Sequence, residues 1–416
     1  MQHRVLFLCV VLTGCGTAAT HAPVCGDGVI NAGELCDGAD VRDVSCEALG
    51  FGMGVVRCNS TCDRLDVSRC SAAPGFIDAG TVPGVDAGLD AGVMVEDAGT
   101  SVVDAGPSRL LHVQGSRFAT PDGALVEVRG AISCCGGGYG WPLVDDAWMD
   151  LVASHGANFL HVRLGPFLTT TPDGETDWSS IGGGYVESAG VADLTRFNDT
   201  FWNKVREILE RARVRGLWVE VDVIDGWALK HCQWGDLQGY SAWDPAFNAQ
   251  QLDGCNGAGG AAIVPGSVQD LWVRKVVRET GRFDHVIYED GNEIGLVANY
   301  ATAWSTSLAA IIHDEERVQG LSRHLVGTNS GSMQTMGNGA LDFAELHQGT
   351  APTLASCAGK PCGVNEYNPN PPLTPQQFQQ RFCAARGNGT AFWYWRHGQD
   401  DAALDASLSK LTEPCP

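Results

Sequence analysis

The 416-residue chain is predicted to be an α/β protein: a (β/α)8 barrel with some outer helices shortened, preceded by a small disulfide-rich module and a disordered linker. Three observations carry that expectation. After Ser108, short apolar runs alternate with helix-period segments, which implies parallel βαβ units. Cysteines crowd an N-terminal stretch too short for a large apolar core. Between the two lies a run of small and acidic residues with little to bury.

Taken in order, residues 1–14 carry one charge, Arg4, then the apolar run Val5 to Leu12. That run falls well short of the roughly 20 residues a spanning helix needs and reads as an export signal. Leu12-Thr13-Gly14-Cys15 resembles the lipobox of bacterial lipoproteins. The resemblance implies a lipid-bearing Cys15 at the head of the mature chain, an anchor segment over 15–24, and attachment to the outer or cytoplasmic membrane at the cell envelope or surface. An ordinary cleaved signal with a chance cysteine is the alternative. No later stretch is apolar enough to span a bilayer, so acyl chains on Cys15 are the expected attachment.

Sixteen cysteines fit an oxidising compartment. Setting aside Cys9 and Cys15, six fall between Cys25 and Cys70 and eight between Cys134 and Cys415, both even counts that suit local disulfides. Their spacings are irregular and no histidine sits among the first six, so bridges are read in preference to zinc. Connectivity stays open; Cys357 with Cys362 and Cys232 with Cys255 are candidate pairs. A formal net charge of −22 excludes a nucleic-acid partner, which needs clustered Lys and Arg, and suits a neutral substrate.

Residues 25–70 form the cysteine-rich module. Its opening, Cys25-Gly26-Asp27-Gly28-Val29-Ile30-Asn31-Ala32-Gly33-Glu34-Leu35-Cys36-Asp37, resembles cysteine-rich repeats of exported proteins from myxobacteria and similar organisms. That implies a surface spacer or interaction module, with Asp27, Glu34 and Asp37 read as a solvated acidic face in preference to a calcium site. Residues 71–107 repeat Asp-Ala-Gly at Asp78, Asp86, Asp90, Asp97 and Asp104, and hold six acidic residues with no Lys or Arg. Such a linker is expected to be extended and self-repelling, holding the next domain away from a membrane.

Residues 108–416 suffice for one barrel, which typically needs about 250 residues. Strands are expected over Leu125 to Ile132, Phe159 to Leu164, Leu217 to Val223, His285 to Tyr288, His324 to Thr328, Leu341 to His347, Pro361 to Glu366 and Thr390 to Trp395. Helices are expected over Asp145 to His155, Leu194 to Arg215 and Val268 to Thr280. The short Gly-, Ser- and Met-rich connection between strands five and six leaves little room for a helix.

In such barrels the loops after the strands build the active site. Strand four runs into Asn292-Glu293, strand six ends in Glu345-Leu346-His347, and strand seven ends in Asn365-Glu366. Retaining glycoside hydrolysis needs two carboxyl groups about 5 Å apart, one to protonate the leaving group and one to attack. Glutamates at nearby strand ends can meet that distance.

Val286 to Ile294 resembles the I-Y-E-x-x-N-E-P block of glycoside hydrolase family 5 and its clan A relatives. The resemblance implies Glu293 as acid/base, Asn292 as the residue holding the sugar 2-hydroxyl, and Glu366 as nucleophile. It further implies that Arg163 orients the nucleophile, that His347 contributes to substrate binding, and that Trp393 or Trp395 stacks on a sugar ring. Phe118 to Gly130 is similar to the segment that opens such barrels. Departures are Gly349 where the family often has Tyr, Asp222 and Asp225 where it has a His, Ile294 for Pro, and a short stretch from Glu293 to Glu366. Trp227, Trp234 and Trp243 are candidates to line subsites or to pack, and Glu220, Glu289 and Glu345 rank lower as solvated acids.

The expected activity is therefore hydrolysis of O-glycosidic bonds in a β-linked polysaccharide or oligosaccharide of glucan or mannan type. It is expected to proceed with retention, without metal or organic cofactor, in a monomer. A non-catalytic carbohydrate-binding surface protein on the same barrel is the alternative. A metal-dependent hydrolase using Asp222, Asp225 and His347 ranks third, since it lacks clustered histidines.

Overall fold

The computed structural model describes residues 24–31, 34–41, 44–46, 53–71, 108–132, 145–169, 182–226, 228–229, 241–255, 262–292, 294, 302–328, 339–347, 359–366, 374–387, 391–394, 409–411 and 413–415. Eight parallel strands close into a barrel: β1 (Arg129–Ile132), β2 (Phe159–Arg163), β3 (Trp218–Asp222), β4 (Val286–Glu289), β5 (Val326–Thr328), β6 (Phe343–His347), β7 (Cys362–Glu366) and β8 (Ala391–Tyr394). Each pairs with its sequence neighbour, and β8 returns to β1 with Phe392 opposite Arg129, so no edge is left open.

Strand one departs from expectation. Leu125–Val126 leaves the barrel for a small antiparallel sheet with His112–Gln114 and Arg117–Ala119, and only Arg129–Ile132 enters the barrel. Asn158 brackets the break: its amide donates to the Glu127 carbonyl at 2.9 Å and accepts the Arg129 N–H at 2.8 Å. The small sheet plugs the base, where Leu111, Phe118 and Val128 join Phe159, Ile287, Leu325 and Phe343 in one buried cluster.

The outer ring described here comprises α1 (Asp146–Ser154), α2 (Asp199–Val214), α3 (Val268–Thr280), α4 (Thr302–Gln319) and α5 (Pro375–Gly387). Asp145, Asn198 and Ser267 cap the first three, each side chain accepting an orphan N–H of the first turn. The helix expected from Leu194 starts instead at Asp199, because Val191–Phe197 pairs antiparallel with Tyr185–Ser188. Helices α4 and α5 are additions to the elements expected. The connection from β5 to β6, expected to lack a full helix, lies largely outside the described residues. Among the described residues no helix is long and apolar enough to cross a membrane.

All six cysteines of the module pair within it, as Cys25–Cys62, Cys36–Cys58 and Cys46–Cys70. Of the acidic residues expected to form a solvated face, Asp27 is exposed, but Glu34 and Asp37 are buried: Asp37 accepts the N–H groups of Gly26 and Gly28, and Glu34 accepts that of Asn31. Nor does the module stand apart. Leu35, Val56 and Leu65 belong to the same apolar cluster as the barrel's outer shell, and a Cβ on Gly266 would come within 2.6 Å of the Leu65 carbonyl. Outside the described residues lie the signal, Cys15 and the linker, together with the candidate partners Cys232 and Cys357; Cys255 and Cys362 are disulfide-bonded, and Cys383 pairs with Cys415.

Candidate active site at the C-terminal mouth of the barrel

Where β2 to β5 end, the backbone ladder continues one step past the strands. The Leu164 N–H donates to Asp222, that of Val223 to Glu289, and that of Asp290 to Gly327. Asp225 and Gly226 extend it with bonds to Leu164 and Asn292. The turn after β4 is pressed against β3: a Cβ on Gly291 would lie 2.1 Å from the Ile224 carbonyl, so only glycine fits. That contact sets the position of Asn292, which is fully buried.

Arg163 ends β2 with its guanidinium 3.4 Å from the carboxylate of Asp225, which is fully sealed from solvent. Asp225 thus serves the arginine, while Asp222 turns to His161; the two aspartates do not form one ligand set. His347 and Glu366 are the last residues of β6 and β7 and stand opposite each other across a register shift. For these two, and for Trp393 in β8, the backbone alone is described. Glu293, Trp227, Trp234 and Trp395 lie outside the described residues.

Trp243 is packing, not subsite. It is fully buried, donates its indole N–H to the Tyr185 hydroxyl at 3.1 Å and meets Trp272 edge to face. With Phe197, Phe201 and Trp202 these rings fill the space between α2, α3 and the inserted hairpin.

Directly beneath the mouth is a group of acids, of which sequence reasoning ranked Glu220, Glu289 and Glu345 as solvated. Glu220, Asp222, Glu289 and Glu345 all point into the barrel and are buried, with His161 among them. The His161 Nε2 lies 2.6 Å from Asp222 and 3.0 Å from Glu289. Burial first, then the neighbouring carboxyls, pushes Glu220 and Glu289 well above the usual carboxylate range. Burial also acts to raise Asp222, but the charge of His161 and the hydrogen bonds from Glu289 and His161 outweigh it and hold Asp222 below its ordinary value. A signal was present: Val219-Glu220-Val221-Asp222-Val223 alternates, whereas a parallel strand covered on both faces reads as a continuous apolar run.

No protein-family model matches the sequence, and no curated protein matches it. Among solved structures the chain is similar to a glycoside hydrolase family 5 protein from Bacteroides vulgatus, at 14% identity over 69% of this chain and 62% of that one, TM-score 0.46. It is also similar to a β-1,4-D-mannanase from Cryptopygus antarcticus, at 14% identity over 73% and 94%, TM-score 0.45. A β-mannanase from the blue mussel Mytilus edulis follows at 12% over 73% and 96%, TM-score 0.47. The chain spans less than two thirds of the Bacteroides vulgatus protein.

Proposed function

We propose that the chain is an exported retaining glycoside hydrolase acting on a β-linked polysaccharide or oligosaccharide of glucan or mannan type. The observation that carries this reading is a single closed barrel in which Glu366 is the last residue of β7 and Asn292, with Glu293 next in sequence, follows β4 on a buried turn. Both segments belong to the C-terminal mouth, where barrels of this kind do their chemistry. In the first step the Glu293 carboxyl protonates the glycosidic oxygen as the Glu366 carboxylate attacks the anomeric carbon and the bond to the leaving sugar breaks. In the second, Glu293 takes a proton from water, which displaces Glu366 and restores the original configuration. Arg163, steadied by Asp225, is suited to hold the nucleophile ionised.

Export and anchoring through Cys15 belong to the same proposal, and three disulfides in one small module suit an oxidising compartment. The test is reducing-sugar release from β-glucans, mannans and xylans by the exported chain, beside Glu366→Ala and Glu293→Ala. Activity on one polymer that both substitutions abolish, with azide restoring turnover to Glu366→Ala, is the expected result. Binding without turnover by the folded wild type would leave a carbohydrate-binding protein instead. Labelling with a tritiated fatty acid that disappears in Cys15→Ser tests the anchor.

A further inference from the structure

Barrel interiors of this type are normally filled by layers of branched apolar side chains. Here four strands send ionisable groups into the interior: His161 from β2, Glu220 and Asp222 from β3, Glu289 from β4 and Glu345 from β6. Donor atoms of His161, Asp222 and Glu289 lie within 4.8 Å of one another, and so do those of Glu220, Glu289 and Glu345, which makes Glu289 common to both sets. All five side chains are sealed from water.

Neither carboxyl oxygen of Glu220 receives a donor from an N–H or hydroxyl group, and the group it faces is another carboxyl, that of Glu345. The second oxygen of Asp222 is likewise without a hydrogen bond while its first takes His161. Buried carboxyl oxygens of Glu220 and Asp222 that lack an N–H or hydroxyl donor call for positive charge beside them. Metal–ligand bonds of about 2.0–2.2 Å put neighbouring donors about 3 Å apart, the spacing His161 already keeps to Glu289.

We propose that this interior is a divalent-cation site, held by His161, Asp222 and Glu289 and completed from the other side by Glu220 and Glu345. One imidazole among carboxylates suits Zn²⁺ or Mn²⁺ better than Mg²⁺ or Ca²⁺, which prefer oxygen alone. The site is structural, taken up as the barrel closes, and it ties β2, β3, β4 and β6 together below the mouth. It stands apart from the proposed glycosidase chemistry and does not depend on it.

The experiment grows the full-length protein in medium supplemented with Zn²⁺ or, separately, Mn²⁺, and in chelator-treated medium. Native mass spectrometry counts bound metal, and melting is followed from about pH 5 to about pH 9. Expected are at least one equivalent of metal in the supplemented protein, absent from Glu220→Gln and Asp222→Asn, and a higher melting temperature than the chelator-grown form. That gap should widen as pH rises, since the ligands must be deprotonated.

A folded wild type with no bound metal overturns the proposal. Its melting temperature should then fall as pH rises above the carboxylate range, because Glu220 and Glu289, facing His161, Arg163, Asp222, Asp290 and Glu345, keep protons that the unfolded chain releases. Metal retained in both variants overturns it too. Should those variants fail to fold, Glu345→Gln and the wild-type metal count decide.

Discussion

The base of the barrel and the level above it are built from the same strands, and they solve opposite problems. On β2, β4 and β6 the residues Phe159, Ile287 and Phe343 seal the base, and two positions later His161, Glu289 and Glu345 face the same axis. The base is closed by apolar burial against the plug, with Phe118 edge to face on Phe343 at 5.5 Å. The upper level carries ionisable groups that burial alone would penalise, and it lies below the proposed catalytic mouth. The apolar seal and the buried ionisable groups are thus separated by one repeat of a strand, about 7 Å along it.

The largest effect expected breaks that comparison from above. At the proposed nucleophile, Glu366→Ala should lower turnover on the order of 10⁴-fold or more, the scale on which loss of such a group acts, with the melting temperature nearly unchanged. From below, Phe343→Ala should cost about 3–5 kcal/mol in denaturant unfolding through the cavity it leaves, while protein that remains folded keeps its kcat. Equal losses of activity per folded molecule in both would mean the two levels are not separable.

The outer ring offers a control, because its buried charge is paired. Glu315 is sealed between α3 and α4, 3.0 Å from Arg274 and 2.6 Å from Arg278. Burial lowers the Arg278 guanidinium, and the charge of Glu315 offsets only part of that. Glu315→Ala removes the carboxylate that faces the buried Arg278 while Arg274 keeps Asp270 and Asp314, and it should cost about 3 kcal/mol by chemical unfolding. Gly291→Ala should cost less in stability but about 10-fold in kcat, since the added Cβ must push the turn bearing Asn292 away from Ile224.

The smallest effect sharpens the contrast at the base. Asp284 accepts the Arg109 N–H at 2.8 Å, joining the plug to the segment before β4. The adjacent His285 imidazole first, and the Arg109 N–H after it, lower its carboxyl to about 2 although burial opposes them. A depressed carboxyl stabilises the fold above its ordinary value of 3.8, and that contribution is lost as pH falls through about 2. Asp284→Asn should therefore flatten the acid limb of the melting curve and lower the neutral melting temperature slightly, since the contribution it removes is present there and the half-buried site is screened.

Much of the barrel is legible in the sequence. Seven of the eight strands were expected at their observed places to within two residues at each end, and α3 runs from Val268 to Thr280 as its apolar period implies. Val191–Phe197 was not legible, since Val191, Leu194 and Phe197 also repeat at a helical interval and only pairing with Tyr185–Ser188 makes the segment a strand. The break in strand one was equally hidden, because it depends on Asn158, 29 residues from the Arg129 N–H it accepts.

By itself the sequence determined the order of strands and helices, the cysteine-rich module, and the strand ends on which Asn292 and Glu366 fall. Those follow from local periodicity, turn residues and composition, which act over a few residues. Only the tertiary structure decided that Trp243 packs, that Asp225 belongs to Arg163, that the module docks beside Gly266, and that four acids line the barrel interior. A period of two says which side chains share a face of a strand. Which face meets solvent and which meets the axis is settled when the eight strands close on one another.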